Sequence, residues 1–244
     1  MSRIKNVALL IVLSLLMFLL TSCLYPDEQR ANHRLSAEDS VMLVQSAVDR
    51  YQADRTLLPI KNFEMNTPLY ERYQIDLSQL IKLQYLSSIP VQAFENGGSS
   101  IFVLVDAEDD PTVKLMDIVT IQTTGEIEEA VHEFMQKNNG QVPAKKADTN
   151  GWYPLDLTAI KQEKKTLKSV FSGENTSWLV DVNGQVVVDY SLDLMMLIDR
   201  EQLADELTAD LDLRSVLVDH AFYVPVKSAP YYWDGDAPVI SPAQ

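Results

Sequence analysis

Tyr73-Gln74-Ile75-Asp76-Leu77-Ser78 and Tyr153-Pro154-Leu155-Asp156-Leu157-Thr158 are two versions of one line of sequence. In each, the aspartate stands where its carboxylate can accept from the first amides of a short helix. Upstream, Ala47-Val48-Asp49-Arg50-Tyr51 matches Ala130-Val131-His132-Glu133-Phe134, and Pro59 and Pro143 follow at nearly equal offsets. Downstream, Val103-Leu104-Val105-Asp106 matches Trp178-Leu179-Val180-Asp181, each opening a strand pair. The same matches in the same order predict one structural unit used twice.

Local signals fill in that unit. Ser36-Ala37-Glu38-Asp39 fits a capping box, and Val41, Val44, Val48 and Tyr51 recur at helical spacing, which predicts a helix over about 37–53. Thr123-Thr124-Gly125-Glu126 reads as the second start, with Ile127, Ala130, Val131 and Phe134 as the buried stripe and Asn139-Gly140 as the stop. Asn183-Gly184, between Leu179–Val182 and Val186–Val188, predicts a type I′ hairpin turn; Asp109-Asp110-Pro111 predicts a longer loop in the first copy. A further helix is expected from Asp199 to about Leu211, on Leu203, Leu207 and Leu211, followed by a Pro-interrupted tail that wraps the second unit.

The fold class is therefore α+β: two tandem similar units, each a long helix, a short helix and an antiparallel hairpin, plus a C-terminal helix and an irregular tail. The boundaries fall at 1–22, 23–35, 36–122, 123–196 and 197–244. Two copies are too few for a solenoid, which usually needs three or more, so a pseudo-symmetric pair is expected.

Charge narrows the partners. Twenty Lys and Arg against 35 Asp and Glu give a net charge of −15 over 244 residues, and no basic stripe appears, which excludes a nucleic-acid binder and a polybasic membrane patch. Membrane attachment must then be hydrophobic or covalent. The amino-terminal segment offers both: Arg3 and Lys5 precede an apolar run from Val7 to Leu20 broken only by Ser14. A spanning helix needs about 20 apolar residues, so this run suits a signal-peptide core.

Leu20-Thr21-Ser22-Cys23 resembles the lipobox of bacterial lipoproteins. That resemblance implies cleavage between Ser22 and Cys23, diacylglyceryl transfer to the Cys23 sulfur and palmitate-type acylation, hence a chain anchored in the lipid bilayer on the extracytoplasmic face of the cell membrane. Residues 23–35, with Pro26 and no periodicity, are expected to form a solvated tether. The unit layout, with its Tyr85-Leu86-Ser87-Ser88-Ile89-Pro90 segment, is similar to the globular part of secretion pseudopilins, without their polymerising helix. The whole chain resembles the uncharacterised lipoproteins of Bacillus-type bacteria, which implies an address and no activity.

No motif for catalysis stands out. The three histidines, at 33, 132 and 220, lack the spacing of a metal site; Cys23 is the single cysteine; and the eight glycines form neither a phosphate loop nor G-x-S-x-G. Neither a cofactor nor a metal is expected. Glu108-Asp109-Asp110 and Asp181-Val182-Asn183-Gly184 carry oxygen ligands but complete no calcium loop, and hairpin turns account for both. The most suggestive cluster is Tyr231, Tyr232 and Trp233 followed by Asp234 and Asp236, because aromatics beside carboxylates suit sugars, peptides or cations. The competing reading has the aromatics clamping the tail to the core.

Three functional readings follow. The first is a non-enzymatic interaction or assembly module of the cell envelope with a protein partner. The second is a module binding a small ligand, cation or cell-wall fragment in a cleft between the units, closed by Tyr231–Trp233. The third is a carboxylate-based hydrolase, which requires two acids facing each other across a sugar bond.

Overall fold

The structure, a computed structural model, describes residues 26–145 and 149–243. The predicted signal peptide and Cys23 lie outside them. A compact body spans Ser40–Gln244; of the leading segment through Asp39, the structure describes the start of helix α1 (Pro26–Arg55). The stretch expected to be an irregular tether is thus helical from Pro26, and Ser36 sits inside the helix. Proline is favoured at a helix start, and once the 40–53 stretch has nucleated a helix each added residue gains a backbone bond.

In the body, α1 is followed by β1 (Tyr73–Gln74), α2 (Leu77–Lys82), β2 (Ser100–Val105) and β3 (Thr112–Asp117). Then α3 (Ile118–Lys137), β4 (Tyr153–Pro154), a small hairpin β5–β6 (Leu167–Lys168, Asn175–Thr176), β7 (Trp178–Val180) and β8 (Val186–Val188) repeat the order. Each repeat builds a three-stranded antiparallel sheet, β1-β2-β3 and β4-β7-β8. The expected α+β class holds.

The repeat is written in hydrogen bonds. Ile75 N–H donates to the Phe102 carbonyl at 2.9 Å and Leu155 to Trp178 at 3.0 Å; Asp76 donates to Pro59 at 2.7 Å and Asp156 to Pro143 at 2.8 Å. These bonds equate Phe102 with Trp178, one residue away from the alignment read from sequence. A one-residue slip turns a strand over, and the two large buried rings, each at most 3% exposed, fix the register.

Long-helix side chains lock the third strands in the same way. Gln45 Oε1 accepts from Val113 N–H at 2.7 Å, and Glu128 Oε1 accepts from Val186 N–H at 3.2 Å. Two residues further along the same free edge, both strands receive the same segment: Leu115 N–H donates to the Phe222 carbonyl and Val188 N–H to Lys227, each at 2.8 Å. Residues 222–227 therefore join both sheets and do not wrap the second repeat alone. Val218, Val224 and Val226 cover Val103, Val105 and Met116, so β2 is buried on both faces and reads as a continuous apolar run.

Several boundaries differ from the sequence reading. Helix α3 starts at Ile118: Asp117 caps it, its carboxylate accepting from Thr120 N–H (2.8 Å) and Oγ1 (2.7 Å). Thr124 lies inside the helix, fully buried, and accepts from Trp178 Nε1 at 3.0 Å; a capping aspartate at the end of a strand outcompetes a Thr-Thr-Gly start. The stop at Asn139-Gly140 is as expected, both residues having positive φ. Asp76 caps α2 through Gln79 N–H, but Asp156 is followed only by turns, its carboxylate accepting from Thr158 N–H.

The hairpin at Asn183-Gly184 is not type I′. Asp181 N–H donates to the Gln185 carbonyl, enclosing three residues with Gly184 alone at positive φ (87°). Its conformation favours glycine, and a Cβ there would lie 2.6 Å from Met135 Sδ, so that side chain would have to shift. The expected helix over 199–211 is displaced too: α4 spans Ser191–Glu201 and closes on left-handed Gln202. Its buried stripe is Leu194, Leu197 and Ile198; Leu203, Leu207 and Leu211 pack from the turns that follow. Helix α5 (Arg214–Asp219) precedes the joining segment, and Lys114 Nζ donates to the carbonyls of Val218 (2.6 Å) and Ala221 (2.8 Å) near its end, where a cation complements the helix dipole. The chain ends in a hairpin, β9 (Tyr231–Trp233) and β10 (Pro238–Ile240).

Candidate functional site

The aromatic–acidic cluster near the carboxyl terminus is used for packing and turn closure. Tyr231 is 1% exposed, and its hydroxyl bonds to Asp189 Oδ1 at 3.1 Å and accepts from Tyr190 N–H at 3.2 Å. Burial raises the phenol well above its ordinary range. Trp233 packs on the same core and Tyr232 is half-buried. Asp234 Oδ1 accepts from the backbone of Asp236 and Ala237, both at 2.8 Å, so the carboxylate closes the β9–β10 turn; these bonds, Ala237 first, hold its pKa below the usual value. Asp236 is exposed in that turn.

Other candidates have similarly local partners. The Asp181 carboxylate is buried and accepts from the amides of Asn183 and Gln185. His132 and His220 are exposed, the latter with Nδ1 3.0 Å from the Val216 carbonyl. Among the described residues no three His, Cys, Asp or Glu converge on a metal position, and no helix is long and apolar enough to cross a membrane.

Two surfaces distinguish the repeats. In the first, the loop between Pro59 and β1 exposes apolar side chains, while Tyr70 and Glu71 at its end meet Arg214 and the Lys227 amide. Of the twelve large hydrophobic side chains exposed among the described residues, six (Leu57, Phe63, Met65, Leu69, Val91 and Phe94) fall between 57 and 94, with Met65 at 93%. Within the loop the Phe63 ring meets Tyr73 edge-on at 5.0 Å, and Lys61 pairs with Glu95 at 3.1 Å. In the second repeat, the chain's own tail bonds to Asn150 and Trp152, just before β4. Asn150 Nδ2 donates to the Ile240 carbonyl (2.8 Å), Trp152 Nε1 to Ser241 (3.0 Å), and Ala243 N–H to the Asn150 carbonyl (2.9 Å).

The second surface is a groove of about 610 Å³ beside α3, with Glu126, Glu129, Glu133 and Lys137 on the helix wall and Lys161, Gln162 and Lys165 on the turn wall. It belongs to the second repeat alone, not to a cleft between repeats, and Tyr231–Trp233 take no part in it. Its three carboxylates share one helix wall and face lysines, so this groove lacks the opposed pair of acids that sugar hydrolysis needs. Sequence reasoning missed the groove because its residues read as an ordinary charged helix face and a polar loop.

Residues 37–117 match the model of the YphF family N-terminal domain. The match ends on Asp117, the last residue of β3 and the cap of α3. It thus corresponds to the first repeat. No curated protein and no solved structure matches the chain.

Proposed function

We propose that the chain is a lipoprotein, anchored at the extracytoplasmic face of the cell membrane through Cys23, and that it works without turnover as a docking module for an envelope protein. The anchor rests on Leu20-Thr21-Ser22-Cys23 and the preceding charge and apolar run. The docking reading rests on one comparison: just before β4 the tail bonds to Asn150 and Trp152, whereas in the first repeat the corresponding loop exposes Phe63, Met65 and Leu69. Large apolar side chains exposed together on one loop are what a docking surface would offer. The second repeat illustrates what fits there: an extended segment whose carbonyls accept from the side chains of Asn150 and Trp152 and whose amide donates to the Asn150 carbonyl.

The test is photo-crosslinking in intact cells, with the reactive group at Met65 and, as control, at exposed Asp205. The expected result is one reproducible protein adduct at Met65, absent at Asp205, lost with Phe63→Asp and diminished when Cys23→Ala releases the chain from the membrane. Equal adducts from both sites, or none, would overturn the docking reading; membrane retention of Cys23→Ala would overturn the anchor.

A further inference from the structure

The groove beside α3 has a counterpart in the first repeat, and there it is filled. Gln84 ends the α2 turn in the left-handed conformation (φ 63°), and the next residue, Tyr85, donates its N–H to the Leu80 carbonyl at 2.9 Å. The Tyr85 ring lies edge-on to Tyr51 at 5.3 Å, its hydroxyl bonds to Asp54 at 3.0 Å, and its carbonyl accepts from Arg50 Nη2 at 2.6 Å. In the second repeat Lys161 is the left-handed residue (φ 58°), and the next residue, Gln162, donates its N–H to Leu157 at 2.8 Å. Gln84 lies eight residues after Asp76, but Lys161 only five after Asp156. One helical turn and the plugging tyrosine are both missing, which leaves the space open above Phe134 and Ile160.

The charges are rearranged as well. Arg50 and Asp54, which hold Tyr85, are matched by Glu133 and Lys137, which pair with each other at 3.1 Å. Glu126 pairs with Lys165 across the groove. That leaves Glu129 on the helix wall and Lys161 on the turn wall, both exposed and, among the described residues, neither in an ion pair. In a chain of net charge −15, this groove carries three acids and three lysines. An anionic ligand would meet the glutamates and a cationic one the lysines; a ligand with one of each charge and an apolar middle satisfies both walls and the floor.

We propose that the groove binds short peptides with free termini, the ammonium directed to Glu129, the carboxylate to Lys161 and an apolar side chain to Phe134 and Ile160. Its volume falls within the range of about 300–1,000 Å³ that small-ligand sites occupy. The site is separate from the first repeat's loop face, so the two readings stand or fall independently.

The test is an amide NMR titration of the lipid-free chain with the tripeptide Ala-Leu-Ala, once with free termini and once N-acetylated and C-amidated. Shifts confined to α3 and residues 159–165, saturating below about 1 mM, are expected for the free form, and at least about tenfold weaker binding for the capped form. Gln162→Tyr, which restores the plug, should abolish binding while leaving the spectrum elsewhere unchanged; Lys161→Ala, at an exposed site, should weaken the free form and leave the capped form unaffected. Absence of shifts at about 10 mM free tripeptide, or equal affinity for the two forms, would overturn the proposal.

Discussion

In the first repeat Tyr85 fills the space beside the long helix and the loop before β1 exposes Phe63, Met65 and Leu69; in the second, the chain's tail bonds to Asn150 and Trp152 before β4 and the space beside the helix is open. The backbone plan is otherwise held to equivalent hydrogen bonds, down to the side chain that locks the third strand. Register and core are constrained because a slip or a void costs kilocalories. Surfaces are not, so one scaffold presents two different unfilled faces.

The harshest test of that equivalence is truncation of the matched rings. Trp178→Ala and Phe102→Ala are each expected to lose about 3–5 kcal/mol in urea unfolding, the former more because Thr124 also loses its donor. A loss below about 1 kcal/mol for Phe102→Ala would break the equivalence. The strand locks come next. Gln45→Ala leaves the amide of buried Val113 unpartnered and is expected to cost about 1–3 kcal/mol. Glu128→Gln places the first repeat's residue in the second and gives up only the half-exposed pair with Lys227 at 3.6 Å, so it should stay within about 1 kcal/mol of the parent. A larger loss would mean that the ion pair matters more than the lock.

The smallest effect is expected at Gly125, in the middle of α3, where a Cβ would meet nothing within 4 Å. The first repeat places Met42 at the equivalent position. Gly125→Ala should raise stability by about 0.5–1 kcal/mol and lift the Tm. A fall would show that the flexibility of α3 is itself needed for folding.

How much was legible follows from the range of each signal. Asp76, the Asn139-Gly140 stop and the longer loop at Asp109-Asp110-Pro111 act over a few residues, and each stands in the structure as read. The start of α3 was misread because two local starts compete and the better cap, Asp117, belongs to the end of a strand. The short helix after Asp156 failed because its turn is three residues shorter than that after Asp76, too short to complete a helical turn. Tyr231–Trp233 and Asp234 were legible as a cluster, but whether aromatics face a ligand or the core depends on Asp189 and Tyr190, some 40 residues upstream.

The sequence by itself determined the α+β class, the duplicated order of elements and the residues that cap and turn the chain, because capping, periodicity and turn chemistry are satisfied between near neighbours. Only the tertiary structure decided the strand register, the use of residues 222–227 to join both sheets and the choice of which faces are left uncovered. Those depend on backbone groups more than a hundred residues apart, such as Leu115 with Phe222, and on volumes that close or stay open according to one turn of helix and one tyrosine.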